Sequence, residues 1–163
     1  MPKRFLKIFT LSALVIVLTL SMVPITDWSV VGVSRGCALS SRLCYPFFHA
    51  SLLHAALNAW CFVSILFLYD LSWPQVAVAY IIAVVAPDFA LSSVPTVGLS
   101  GVCFALLGSI AFQVKRKRYY NACMALYITL GFLFPLVNGW LHLYSYVAGL
   151  FVGFLTMPLS CRR

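Results

Sequence analysis

The sequence predicts an all-α integral membrane protein, a bundle of six transmembrane helices with cytoplasmic N- and C-termini. Three observations carry that expectation. The 163 residues are 63% hydrophobic and only 9% charged. The mean hydropathy is +1.02. The basic residues gather at the flanks of apolar runs instead of being spread along the chain. A soluble domain carries about 25% charged residues, and a chain this short has too much surface for a larger core to explain the deficit. A bilayer interior is the solvent that fits, and one helical membrane domain over residues 1–163 uses the whole length.

Apolar runs at about 5–24, 46–68, 73–91, 98–114, 119–137 and 140–158 supply the six helices, each about the length needed to cross a hydrocarbon core of about 30 Å. The first run has the basic start of a signal peptide. It lacks a clear small-residue cleavage site and continues to Pro24, so it reads as a spanning helix.

Orientation follows from charge. Lys3, Arg4 and Lys7 precede the first run, Lys115, Arg116, Lys117 and Arg118 separate the fourth from the fifth, and Arg162 and Arg163 end the chain. With the N-terminus inside, nine of the eleven basic residues are cytoplasmic, and only Arg35 and Arg42 lie outside. This placement also argues against nucleic acid as the partner of the +8 net charge, because a binder of that kind arrays basic residues on one face of a soluble module. The longest outer loop, about 25–45, holds Asp27 and Trp28. Trp28, Trp73, Tyr119 and Tyr120 fit interfacial anchors. Six cysteines show no zinc spacing. Cys37 and Cys44 share the outer loop, and both a disulfide and two free thiols remain open for them. No metal or cofactor is implied.

The residues able to do chemistry are few. The acids are Asp27, Asp70 and Asp88, at loops or helix ends, so a buried carboxylate relay has no material. All three histidines, His49, His54 and His142, fall at the predicted outer ends of the second and sixth helices. A lone histidine there would be read as structural; three on one side point to a site. His54 and Asn58 are four apart and share a helix face, with His49 nearer the surface. That polar strip serves either as interhelical glue or as an anion-holding group. Gly98-Leu99-Ser100-Gly101 opens the fourth helix, where free N–H groups and the helix dipole favour negative charge. Gly101, Ala105 and Gly108 form one small-residue face, and His142, Ser145, Gly149 and Gly153 form another. Two such faces let helices approach until Ser100 and His142 are within hydrogen-bond reach, and a serine hydroxyl needs a base to become a nucleophile.

Taken together, His49-x4-His54-x3-Asn58, Gly98-Leu99-Ser100-Gly101-Val102 with Ala105-Leu106-Leu107-Gly108, and the His142 stripe resemble the rhomboid intramembrane serine proteases across essentially all six helices. The resemblance implies a serine endopeptidase in which Ser100 is the nucleophile and His142 the base and later acid. It further implies His54, Asn58 and the Ser100 N–H as the oxyanion hole, with Gly98 and Gly101 in the serine motif, His49 alongside and Phe104 packed on the His142 ring. Transmembrane proteins would be the substrates, membrane lipids the surroundings, and a bacterial cytoplasmic membrane the location, with the site opening to the outer side.

The family's sixth-helix motif HxxGxxxG reads here His142-x2-Ser145-x3-Gly149. A second register places Tyr146 at the histidine position and would imply an inactive relative that binds transmembrane clients; the small-residue stripe favours His142. The family's tryptophan–arginine pair in the first loop is absent as a dipeptide, with Arg42 near its place. Gly131 and Pro135 make the fifth helix, with the loop after it, the expected mobile gate. A small transporter or channel is the remaining competitor, disfavoured by the lack of buried acids and of any inverted repeat.

Overall fold

The computed structural model describes residues 3–69, 71–134 and 137–156. Within them lie seven α-helices: α1 Lys3–Leu20, α2 Leu39–Cys44, α3 Leu52–Leu68, α4 Trp73–Val84, α5 Ser100–Ile110, α6 Lys117–Leu133 and α7 Gly139–Thr156. Two 3-10 turns, Tyr45–Phe47 and Asp88–Ala90, complete the regular structure, and an isolated antiparallel bridge joins Val33 to Thr96. Each apolar run of the sequence overlaps one of the longer helices, but the boundaries move.

The run at 46–68 is the largest correction. Pro46 sits in the 3-10 turn, Phe48 is extended, and Ser51 starts α3 by accepting the His54 N–H with its side chain, as an N-cap residue does. The α2 segment and α3 therefore meet at a bend of 83°, and His49 falls outside the helix. The run at 73–91 ends as a helix at Val84, since Pro87 steers Ala86 away from helical geometry. The run at 98–114 starts its helix only at Ser100, because Gly98 has φ +123, which no helix accommodates, and the helix ends at Ile110. The first helix ends at Leu20, the fifth spans 117–133 and the sixth begins at Gly139; Pro135, Asp70 and Cys161 lie outside the described residues.

Helix α5 is the centre. Gly101, Val102, Cys103, Ala105, Leu106, Gly108, Ser109 and Ile110 are all buried, which leaves it covered almost all round. Its most extensive contact is with α7, followed by α4 and then α3. The outward faces are apolar instead of polar: Leu53, Leu57 and Trp60 on α3, Leu126 and Leu133 on α6, and Val147, Phe151 and Leu155 on α7 are exposed. An exposed apolar surface of that extent suits lipid, not water. Among the described helices α7 is by itself long and apolar enough to cross a membrane. Helix α5, at 11 residues, rises only about 16 Å.

What replaces helix at the end of the bundle where α5 begins is the segment 85–99, irregular yet buried at Ala86, Ala90, Leu91, Val97 and Leu99. Buried irregular backbone persists only where protein satisfies its polar groups, and the loop before α3 does so. Arg42 donates to the Ala86 carbonyl at 2.5 Å and pairs with Asp88 at 2.6 Å. Arg35 donates to the Leu91 carbonyl at 2.8 Å, and Val33 and Thr96 exchange backbone hydrogen bonds. Gly98 N–H donates to the Tyr45 carbonyl, while the Tyr45 hydroxyl donates to that of Ala83. The two arginines that depart from the flanking pattern are thus the clamps of a buried loop. In the loop between α1 and α2 Asp27 accepts the Ser29 N–H at 2.9 Å, and hydrogen bonding from Ser29 lowers its carboxyl pKa. Cys37 and Cys44 are both free thiols.

Candidate active site

Ser100 occupies the first turn of α5 and His142 the first turn of α7, so their distance is set by how closely those helices approach. The small residues settle it. A Cβ added to Gly149 would collide with the Ala105 backbone carbonyl, one added to Gly153 with that of Ser109, and one added to Gly108 with that of Tyr146. With backbones in contact, His142 Nε2 lies 2.9 Å from Ser100 Oγ. Tyr146, the alternative at the histidine position, lies one turn further along, its carbonyl against Gly108.

Three features hold the His142 ring. Phe104, one turn after Ser100, stacks on it with centroids 4.3 Å apart and planes 16° from parallel. Asn138 caps α7 by accepting the Leu141 N–H at 3.0 Å, fixing where the helix begins. Gly131 of α6 presents backbone to the other edge: a Cβ there would stand 3.3 Å from His142 Nδ1. That contact, between the helix expected to act as a gate and the imidazole, was not anticipated from sequence. His142 is 8% exposed, Ser100 half-buried. If Nε2 accepts the serine proton, Nδ1 carries its own. The described acids are in loops, with Asp88 committed to Arg42.

On the other side of Ser100, the positive φ of Gly98 brings the chain against α3. A Cβ on Gly98 would fall 2.8 Å from His54 Cε1, 2.9 Å from its Nε2 and 3.4 Å from Asn58 Nδ2. An imidazole and a carboxamide therefore flank the backbone two residues before the serine. Asn58 also donates to the His54 carbonyl at 3.2 Å, and its own carbonyl faces the Cys103 thiol at 3.7 Å. Gly101 clears the Tyr45 hydroxyl, only 2.8 Å from where a Cβ would be.

His49 stands differently from the expectation. It lies outside the second long helix, in which the sequence placed it: it is 2% exposed in the turn before α3, and its Nε2 accepts the Leu99 N–H at 3.1 Å. Its ring meets that of His54 edge-on at 5.0 Å. His49 therefore anchors the backbone immediately before Ser100, and it touches the rest of the site through His54. Ser145, at the position where the family's motif has glycine, is fully buried, and its hydroxyl has no hydrogen-bond partner.

No group of His, Cys, Asp or Glu able to hold a metal occurs among the described residues. No curated protein and no solved structure matches the chain. The family model described as Rhomboid domain matches residues 36–163, a span containing every residue of this site and most of the chain. An all-helical bundle with lipid-suited outer faces, and a match of that extent, place the chain among integral membrane proteins: it belongs to the rhomboid family.

Proposed function

We propose that this protein is an intramembrane serine endopeptidase that cleaves transmembrane segments of other proteins near the outer membrane boundary. The observation carrying this reading is the 2.9 Å contact between Ser100 Oγ and His142 Nε2. In the proposal the bundle crosses the membrane six times with both termini cytoplasmic, in a bacterial cytoplasmic membrane, and the start of α5 faces outward.

His142 Nε2 takes the Ser100 proton as Oγ attacks the scissile carbonyl carbon. The carbonyl π pair moves onto oxygen, and the oxyanion is held by the Ser100 N–H, His54 and Asn58. His142 then gives the proton to the leaving amine, the C–N bond breaks, and an acyl-Ser100 ester remains. A water molecule, deprotonated by the same imidazole, releases the acid and restores Ser100. Phe104 and Gly131 keep the ring from rotating off the serine. A substrate helix must open locally first, because an intact helix keeps its carbonyls in its own hydrogen bonds.

The test is labelling of the purified protein by a serine-directed fluorophosphonate. Wild type is expected to label, with labelling lost in Ser100→Ala and in His142→Ala and kept in Tyr146→Phe. Folded wild type that does not label, or labelling indifferent to both changes, would overturn the reading in favour of a protein that binds transmembrane clients without cutting them.

Gly98→Ala probes the other half of the site. Its φ of +123 disfavours any L side chain, and the new Cβ would meet the His54 ring at 2.8 Å. Turnover of a single-span substrate is expected to fall by roughly 10²-fold, the scale of one lost oxyanion donor, while the bundle remains folded by circular dichroism. Wild-type turnover in Gly98→Ala would remove His54 and Asn58 from the oxyanion site.

A further inference from the structure

At the opposite end of the bundle from Ser100 lies a cavity of about 860 Å³ between α4, α5, α7 and the start of α6. Its lining has two characters. Val78, Phe112 and Val152 make it largely apolar, while Gln75, Gln113 and Lys117 bring polar groups to it. The Gln75 side-chain oxygen is already used, accepting from both the Ser72 N–H at 2.8 Å and the Ser72 hydroxyl at 2.9 Å. What Gln75 has left to offer is therefore a pair of N–H donors. Lys117 supplies a cation, and no carboxylate is among the described lining residues. The cavity adjoins the run Lys115-Arg116-Lys117-Arg118, the largest concentration of positive charge in the chain.

We propose that this cavity is a binding site for one anionic phospholipid of the leaflet facing the basic run. An acyl chain lies along Val78, Phe112 and Val152, and the phosphate is held by Lys117 with the Gln75 and Gln113 amides. The two characters of the lining match the two ends of such a molecule. A donor-rich, acid-free opening beside a basic run favours an anion over a zwitterion, as basic pockets between helices do. A free phosphate would use the polar end alone and leave the apolar wall unoccupied. The site is remote from the serine–histidine pair and stands whether or not the protein cuts substrates.

Native mass spectrometry of the full-length protein, titrated in turn with phosphatidylglycerol, phosphatidylcholine and inorganic phosphate, tests this. Phosphatidylglycerol is expected to give a saturable one-to-one adduct, with the other two binding at least fivefold more weakly. Lys117→Gln is expected to weaken the phosphatidylglycerol adduct by roughly five- to tenfold, the effect of one basic residue at a membrane surface or somewhat more. Lys115→Gln removes the same charge outside the lining and should have little effect. Val152→Phe, which fills the apolar wall and leaves every charge in place, should also weaken the adduct. Equal binding of the two lipids, or equal losses in Lys117→Gln and Lys115→Gln, would overturn the site in favour of diffuse surface attraction. A phosphate adduct as strong as the lipid's would show an anion site with no lipid specificity. The wild-type lipid comparison decides the matter even if a variant fails to fold.

Discussion

Substrate turnover by Ser100→Ala and by His142→Ala is expected to fall by roughly 10⁴-fold or more each, and the double variant is expected to be no slower than the slower single one. In the proposed mechanism one proton links the two residues. Without His142 nothing takes the hydroxyl proton as Oγ attacks. Without Ser100 the imidazole has no nucleophile at 2.9 Å to activate. Once either partner is gone the other contributes almost nothing further, so losses do not multiply. What persists in all three variants is whatever His54, Asn58 and the backbone donors supply to water attack. The measurement is a double-mutant cycle on cleavage of a single-span substrate in liposomes, with folding verified for each variant. A double variant slower by the product of the single losses would mean that the two side chains act independently, and the dyad reading would fall. Because no described acid stands by His142 Nδ1, ring orientation depends on stacking by Phe104 and on the close passage of α6 at Gly131, where a Cβ would stand 3.3 Å from Nδ1.

Much of this arrangement was legible because small residues report helix approach directly. Gly101, Ala105 and Gly108 on one run, and Ser145, Gly149 and Gly153 on another, predict two helices in backbone contact, and the structure places α5 and α7 in that contact. Helix ends were less legible for a physical reason: hydropathy measures burial in an apolar medium, and in the segment 85–99 Ala86, Ala90, Leu91, Val97 and Leu99 are apolar and buried outside any α-helix. Ala86, Ala90 and Leu91 extend the hydrophobic run beyond Val84 although Pro87 stops the helix. His49 was misplaced by the same effect, since Pro46 and Ser51 are the true boundary signals inside a continuous apolar stretch. The partners of Arg35 and Arg42 could not be read at all. Each reaches a carbonyl 56 or 44 residues away, a pairing that no local pattern encodes.

The contact that makes the site possible also sets the largest expected stability effect. Gly149→Leu is expected to abolish cooperative assembly of the bundle while leaving most helix intact. Even a methyl group at 149 overlaps the Ala105 carbonyl, and backbone, unlike the end of a flexible side chain, cannot step aside. Accommodation requires α5 and α7 to separate, which breaks the packing at Gly108 and Gly153 together with that at Gly149. Ordinary overpacking costs about 1–3 kcal/mol; forcing backbones apart along three contacts exceeds that and is comparable with a total stability of about 5–15 kcal/mol. The individual helices do not unravel, because their backbone hydrogen bonds are internal and lipid or detergent offers no competing partners. Far-ultraviolet circular dichroism should therefore show near-native helix content, while the cooperative unfolding transition in a denaturing detergent titration disappears. Ser145→Ala is the matched control on the same α7 stripe. It removes a fully buried hydroxyl that has no partner, and deleting an unsatisfied group costs nothing and relieves up to about 1–3 kcal/mol of desolvation. Its transition should be as stable as wild type or more so. A Gly149→Leu variant that unfolds like wild type would mean that α5 and α7 do not meet backbone to backbone, and Ser100 and His142 would then have no structural reason to be within reach of each other.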